Sequence, residues 1–107
     1  MIIVGDIGNT DTKICLVNSK NKIVKKVTLK TKKINFFILK KSLFSLMLKN
    51  KIIDKCLFCS VVPKTFNITK LFFYKSYKLK CYELKTLQLR RLIKIKVNYK
   101  QIGSDRL

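Results

Sequence analysis

Residues 2–13, Ile2-Ile3-Val4-Gly5-Asp6-Ile7-Gly8-Asn9-Thr10-Asp11-Thr12-Lys13, constrain the fold of this chain more than any other stretch. The β-branched run Ile2 to Val4 predicts a buried strand. It leads through Asp6 into Gly8-Asn9, a strong turn signal. A second β-type run, Ile14-Cys15-Leu16-Val17, follows at once. The pattern predicts a hairpin with Asp6 near the turn and Gly8, Asn9, Thr10 and Thr12 at or near its tip. Such a tip can cradle a phosphate. Small residues admit it to the backbone N–H groups, Asn9 and the threonines add donors, and Lys13 adds a cation. Asp6 is a hard oxygen ligand suited to Mg²⁺ or to one of its waters. The same residues also make an ordinary hairpin, with Asp and Thr serving turn hydrogen bonds.

Further along, Lys22 to Lys30 alternates weakly and predicts a third strand, completing an antiparallel meander. Asn35 to Asn50 carries Phe36, Phe37, Leu39, Leu43, Phe44, Met47 and Leu48 near helical spacing, which predicts an amphipathic helix. Lys40, Lys41 and Lys49 could make it a membrane-surface helix, but packing on a sheet is the more ordinary use of such a stripe. The apolar run from Cys56 to Val62 predicts an interior strand buried on both faces. Pro63 stops it and suits the first turn of a helix over Lys64 to Tyr74. Tyr77 to Leu84 predicts another strand, and Ile93 to Val97 an exposed edge strand.

Three segments resemble the type III pantothenate kinases of the acetate and sugar kinase/Hsp70/actin superfamily, in that family's order. Asp6-Ile7-Gly8-Asn9-Thr10 resembles its N-terminal phosphate motif. Cys59-Ser60-Val61-Val62-Pro63 resembles its Ser-Ser-Val-Val-Pro strand end, with Cys59 in place of serine. Asn98 to Leu107 resembles Asn-Pro-x-Glu-Val-Gly-Ala-Asp-Arg-Leu; Asn98, Gly103, Asp105, Arg106 and Leu107 match, while Tyr99 and Gln101 depart. The family's Thr-Gly-Leu loop has no glycine here, where Thr86-Leu87-Gln88 stands.

The resemblance implies an α/β, ribonuclease H-like (actin-like ATPase) half: an antiparallel meander extended by parallel strands, with helices on both faces. It spans residues 1–107 as a single N-terminal domain. The family's second half, with its other phosphate loop and cleft wall, has no counterpart in this sequence, so the expectation is a truncated domain. The implied activity is ATP-dependent phosphorylation of pantothenate, the first step towards coenzyme A. Asp6 would organise Mg²⁺; Gly8, Asn9, Thr10 and Lys13 would meet the ATP phosphates. Asp105 would take the substrate's hydroxyl proton, Arg106 would hold its carboxylate, and Gly103 and Ser104 would form the substrate loop. A monovalent cation, K⁺ or NH₄⁺, and a homodimer belong to the same expectation, as does approach of Asp6 and Asp105 to one cleft. The alternative is an inactive remnant or fragment that binds polyanions non-specifically.

Composition narrows the remaining classes. The formal charge is +20, and only Asp6, Asp11, Asp54, Glu83 and Asp105 are acidic. Such a field attracts nucleic acid and anionic membranes. Yet lysine is spread along the whole chain, and arginine, the usual residue for bidentate base or phosphate recognition, stands only at positions 90, 91 and 106. Alanine, tryptophan and histidine are absent while Lys, Ile, Leu, Phe and Asn abound, as an A/T-rich genome would produce. Compositional drift therefore accounts for the charge, and no specific nucleic-acid partner is expected. Cys56-Leu57-Phe58-Cys59 has C-x-x-C spacing but lies in an apolar strand without histidine, so buried reduced thiols are expected, not zinc. No signal peptide and no transmembrane run is visible, which predicts a cytoplasmic protein without a membrane partner.

Overall fold

The computed structural model describes residues 1–47 and 52–85. Five strands form one mixed sheet in the order β3-β2-β1-β4-β5. They are β1 (Ile2–Ile7), β2 (Asp11–Val17), β3 (Ile23–Lys30), β4 (Lys55–Ser60) and β5 (Cys81–Glu83). Antiparallel pairing joins β1 to β2 and β2 to β3, and parallel pairing joins β1 to β4 and β4 to β5. This is the expected meander extended by parallel strands, an α/β fold. The expected edge strand over Ile93 to Val97 lies outside the described residues.

Strand β1 is central and buried along nearly its whole length. Its alternation sends Ile3 and Ile7 to one face and Val4 and Asp6 to the other. On the first face Ile14 and Leu16 of β2 and Cys56 and Phe58 of β4 join them in the main core. Gly5 is required here: a Cβ on it would run into the Phe58 ring. Val4, Cys15, Val17 and Cys59 make a smaller cluster on the opposite face.

Both described helices cover the main core. Helix α1 (Phe36–Leu43) starts at Asn35, whose side chain accepts from the Ile38 N–H at 2.8 Å, an N-cap. It contributes Leu39 and Leu43. Regular helix ends earlier than expected, and turns carry the chain through Met47, whose N–H is shared between the carbonyls of Leu43 and Phe44. Helix α2 (Pro63–Tyr77) has Pro63 in its first turn, where a missing N–H is harmless. It contributes Phe66, Phe72 and Phe73. Phe72 and Phe73 stack edge-on at 5.4 Å, and Phe36 of α1 meets Phe72 in the same manner. Helix α2 runs past Tyr74 to Tyr77 because no glycine stops it; Lys78 itself adopts the left-handed conformation, with φ 57°.

Right-handed crossovers that progress one way across a sheet put their helices on one side. The steps from β1 to β4 and from β4 to β5 both move in one direction, and α1 and α2 share a face accordingly. The opposite face, which carries Asp6, has no helix among the described residues, so of the expected helices on both faces those described lie on one.

Candidate functional site

The carboxyl ends of β1, β4 and β5 lie along one edge of the sheet, since the three run parallel. Ligands of open α/β sheets bind at that edge. The hairpin tip Gly8–Thr10 follows β1 there, and the Val61–Pro63 turn follows β4. The two are tied together by the Val61 N–H, which donates to the Ile7 carbonyl at 3.0 Å.

Three site residues stand in one row. Asp6 is the register partner of Lys13 on β2 and of Cys59 on β4. All three therefore share the face away from the helices. Asp6 is only 6% exposed and Lys13 is half-buried, so the carboxylate and the cation are neighbours in partly dehydrated surroundings. A low effective dielectric strengthens what such charges do to a ligand. Beside this row a cavity of about 520 Å³ opens, lined by Cys59, Ser60, Glu83, Leu84 and Lys85. The Ser60 hydroxyl is occupied locally: it donates to the Val62 carbonyl and accepts from the Val62 N–H, both at 3.0 Å.

The tip itself is tightly bonded. The Gly8 N–H donates to the Asp11 carbonyl at 2.9 Å. A Cβ on Gly8 would meet that same oxygen at 3.0 Å, which explains the glycine. Asn9 and Thr10 are exposed, available to a ligand. Thr12, expected near the tip, instead points into the protein, where its Oγ1 lies 2.9 Å from Thr31 Oγ1. The reason is register: Thr12 shares a face with the core residues Ile14 and Leu16, while Asp11 and Lys13 share the other. Asp11 is taken up by Lys30, at 3.4 Å.

Asp6, Gly8, Asn9, Thr10 and Lys13 are thus brought to one corner. Gly103, Ser104, Asp105 and Arg106 lie outside the described residues. Sequence reasoning missed Thr31, Glu83 and Lys85. Glu83 and Lys85 flank the end of a three-residue strand too short to announce its register.

Among the described residues no three His, Cys, Asp or Glu side chains gather as a metal cage. The donor set still suits Mg²⁺, which keeps most of its waters and is usually held by one or two carboxylates plus substrate phosphates. Asp6 is such a carboxylate, close to the Gly8–Thr10 tip. The four cysteines are buried, and none of them is in a disulfide. Cys56 and Cys59 face opposite sides of the sheet, so their spacing does not build a joint ligand site. Among the described residues no helix is long and apolar enough to cross a membrane.

Comparison with known proteins bears on the family of the chain. The family model described as "Type III pantothenate kinase" matches residues 2–107. A type III pantothenate kinase of Pelagibacter ubique (strain HTCC1062) is 75% identical over 107 residues, covering all of this chain and 43% of that protein. The chain therefore spans less than half the length of that relative. On these matches, with which its α/β fold is consistent, the chain belongs to the type III pantothenate kinase family.

Proposed function

We propose that this chain supplies the phosphate-side wall of an ATP-dependent pantothenate kinase, which transfers the γ-phosphoryl group of ATP to the primary hydroxyl of pantothenate. The observation that carries this reading is the Asp6–Lys13 register pair beside the Gly8–Thr10 tip, at the carboxyl edge of the parallel strands. Phosphoryl transfer depends mainly on positioning and on charge stabilisation. Asn9 and Thr10 would orient the phosphate oxygens, and Gly8 would admit them to the backbone. Lys13 would offset their charge. Asp6 would hold Mg²⁺ through one oxygen or one water; when bound, that ion neutralises charge on the β- and γ-phosphates. Asp105 would accept the proton of the attacking hydroxyl, and Arg106 would clamp the pantothenate carboxylate through its two parallel donors. Gly103 and Ser104 would shape the loop that presents them. A monovalent cation (K⁺ or NH₄⁺), a homodimeric state and a cytoplasmic setting complete the proposal.

The test mixes the purified 107-residue chain with the remaining segment of the Pelagibacter relative. ATP-dependent phosphorylation of pantothenate is then measured with Mg²⁺ and K⁺ or NH₄⁺. The expected result is turnover in the mixture at about 1 s⁻¹ or more, negligible turnover for the chain alone, and loss of it in Asp6→Asn and Asp105→Asn. Activity that survives both substitutions, or an inactive mixture of two folded segments, overturns the proposal; the second outcome identifies an inactive remnant.

A further inference from the structure

Thr31 opens the short 3₁₀ turn Thr31–Lys33 after β3, yet it is buried. A buried hydroxyl needs partners. Its Oγ1 donates to the Gly8 carbonyl at 2.8 Å and lies 2.9 Å from Thr12 Oγ1. A hydroxyl has one proton to give. With the Thr31 proton on Gly8, the proton of the second bond must come from Thr12. The result is a directed relay, Thr12 to Thr31 to the Gly8 carbonyl, in which each bond polarises the next. The Thr31 backbone N–H also donates to the Thr10 carbonyl at 3.0 Å. One residue from the end of β3 thus grips the carbonyls on both sides of Asn9. The Asp11 carbonyl is occupied as well, by the Gly8 N–H at 2.9 Å.

The electrostatic effect follows directly. Carbonyl oxygens are the negative ends of peptide dipoles and repel a phosphate. Here those of Gly8, Thr10 and Asp11 are each engaged by a protein donor, while Asn9 and Thr10 stay exposed at the surface. We propose that Thr31 is a positioning residue for the phosphate hairpin, holding its carbonyls inward so that the tip offers an anion mainly donors. This rests on the kinase reading for the identity of the anion, but not for the locking of the tip.

The test compares Thr31→Val, which removes the hydroxyl at constant shape, with Thr31→Ser, which keeps it. Amide hydrogen exchange is read at Gly8, with Ile3 and Val4 as controls, and Mg-ATP affinity is measured on the same proteins. Thr31→Val should speed Gly8 exchange and weaken Mg-ATP binding by about tenfold each, the scale of one net hydrogen bond. Ile3 and Val4 should stay protected, and Thr31→Ser should restore both readouts. Thr12→Val, which removes only the upstream donor, should give the same local pattern at smaller amplitude, and serves if Thr31→Val does not fold. Exchange that rises equally at Gly8, Ile3 and Val4 would reduce Thr31 to a general stability role and overturn the proposal, as would unchanged Gly8 exchange. If Gly8 exchange responds as expected but the wild-type chain, mixed with the remaining segment of the Pelagibacter relative, binds no Mg-ATP, the tip-locking role stands and the kinase reading falls.

Discussion

Asp6 and Lys13 are direct partners across the β1–β2 pair, on the sheet face opposite the described helices. The proposed function gives them separate duties towards a nucleotide, and substitutions should separate the two. Asp6→Asn should weaken Mg-ATP binding by about 10- to 100-fold, the span of a lost charge-assisted contact, without weakening metal-free ATP binding, since it also removes a charge that repels phosphate. Lys13→Met should weaken both. Calorimetric titration with Mg²⁺ and then with a chelator checks this; equal losses in both conditions for Asp6→Asn would remove its metal role.

Gly5→Ala should destabilise the protein by about 1–3 kcal/mol, the usual cost of overpacking. The added methyl has no room except that of the Phe58 ring, which packs on Phe66 and Phe73. Denaturant unfolding measures the loss. Adding Phe58→Leu should recover part of it, a coupling expected only of side chains in contact.

The meander and the strand–Pro–helix unit were legible because periodicity and Pro63 are local signals. The pairing of Asp6 with Lys13 was not, since register depends on how many residues the turn consumes, here Gly8 to Thr10. Helix α2 overran its expected end because no glycine marks the stop; Lys78 ends it in a conformation usually left to glycine. Thr31 was invisible for a different reason. Its partner Gly8 lies 23 residues away, and nothing in its neighbourhood distinguishes it from a surface threonine.

Alkaline stability should report on the buried thiols. Burial pushes Cys15 from its ordinary 9.0 up to about 11, against the opposing pull of Lys26 and Lys13. Cys56 is raised as well, by its hydrogen bond to Cys81 and by burial. A raised folded value means that the thiol form is favoured by folding. The contribution is complete below pH 9, where unfolded thiols are still protonated, and is lost as the pH rises through 11. Melting temperatures from pH 8 to pH 11 should therefore fall less steeply in Cys15→Val than in the wild type. Parallel curves would contradict the assignment.

DNA binding should be present, indifferent to sequence, and steeply salt-dependent, given a charge of +20 distributed along the whole chain. Affinity measured on two unrelated duplexes between low and high salt decides this. A marked preference for one duplex, or binding that persists at high salt, would instead indicate an evolved nucleic-acid surface.

The central place of β1 also sets an order of events in time. Its pairing with β2 needs only a tight local turn, so the β1–β3 meander can form as soon as those residues leave the ribosome. Its other edge must wait for β4, whose Lys55 pairs with Ile2. Closing so long a loop is the slow entropic step, and contacts of that separation limit folding rates. During the interval a β-branched, apolar strand shows an unpaired edge, the kind of surface that recruits other chains. If folding follows chain order, the β1–β2 hairpin precedes β4, and the β1 edge that will receive β4 stays open to self-association until the two pair.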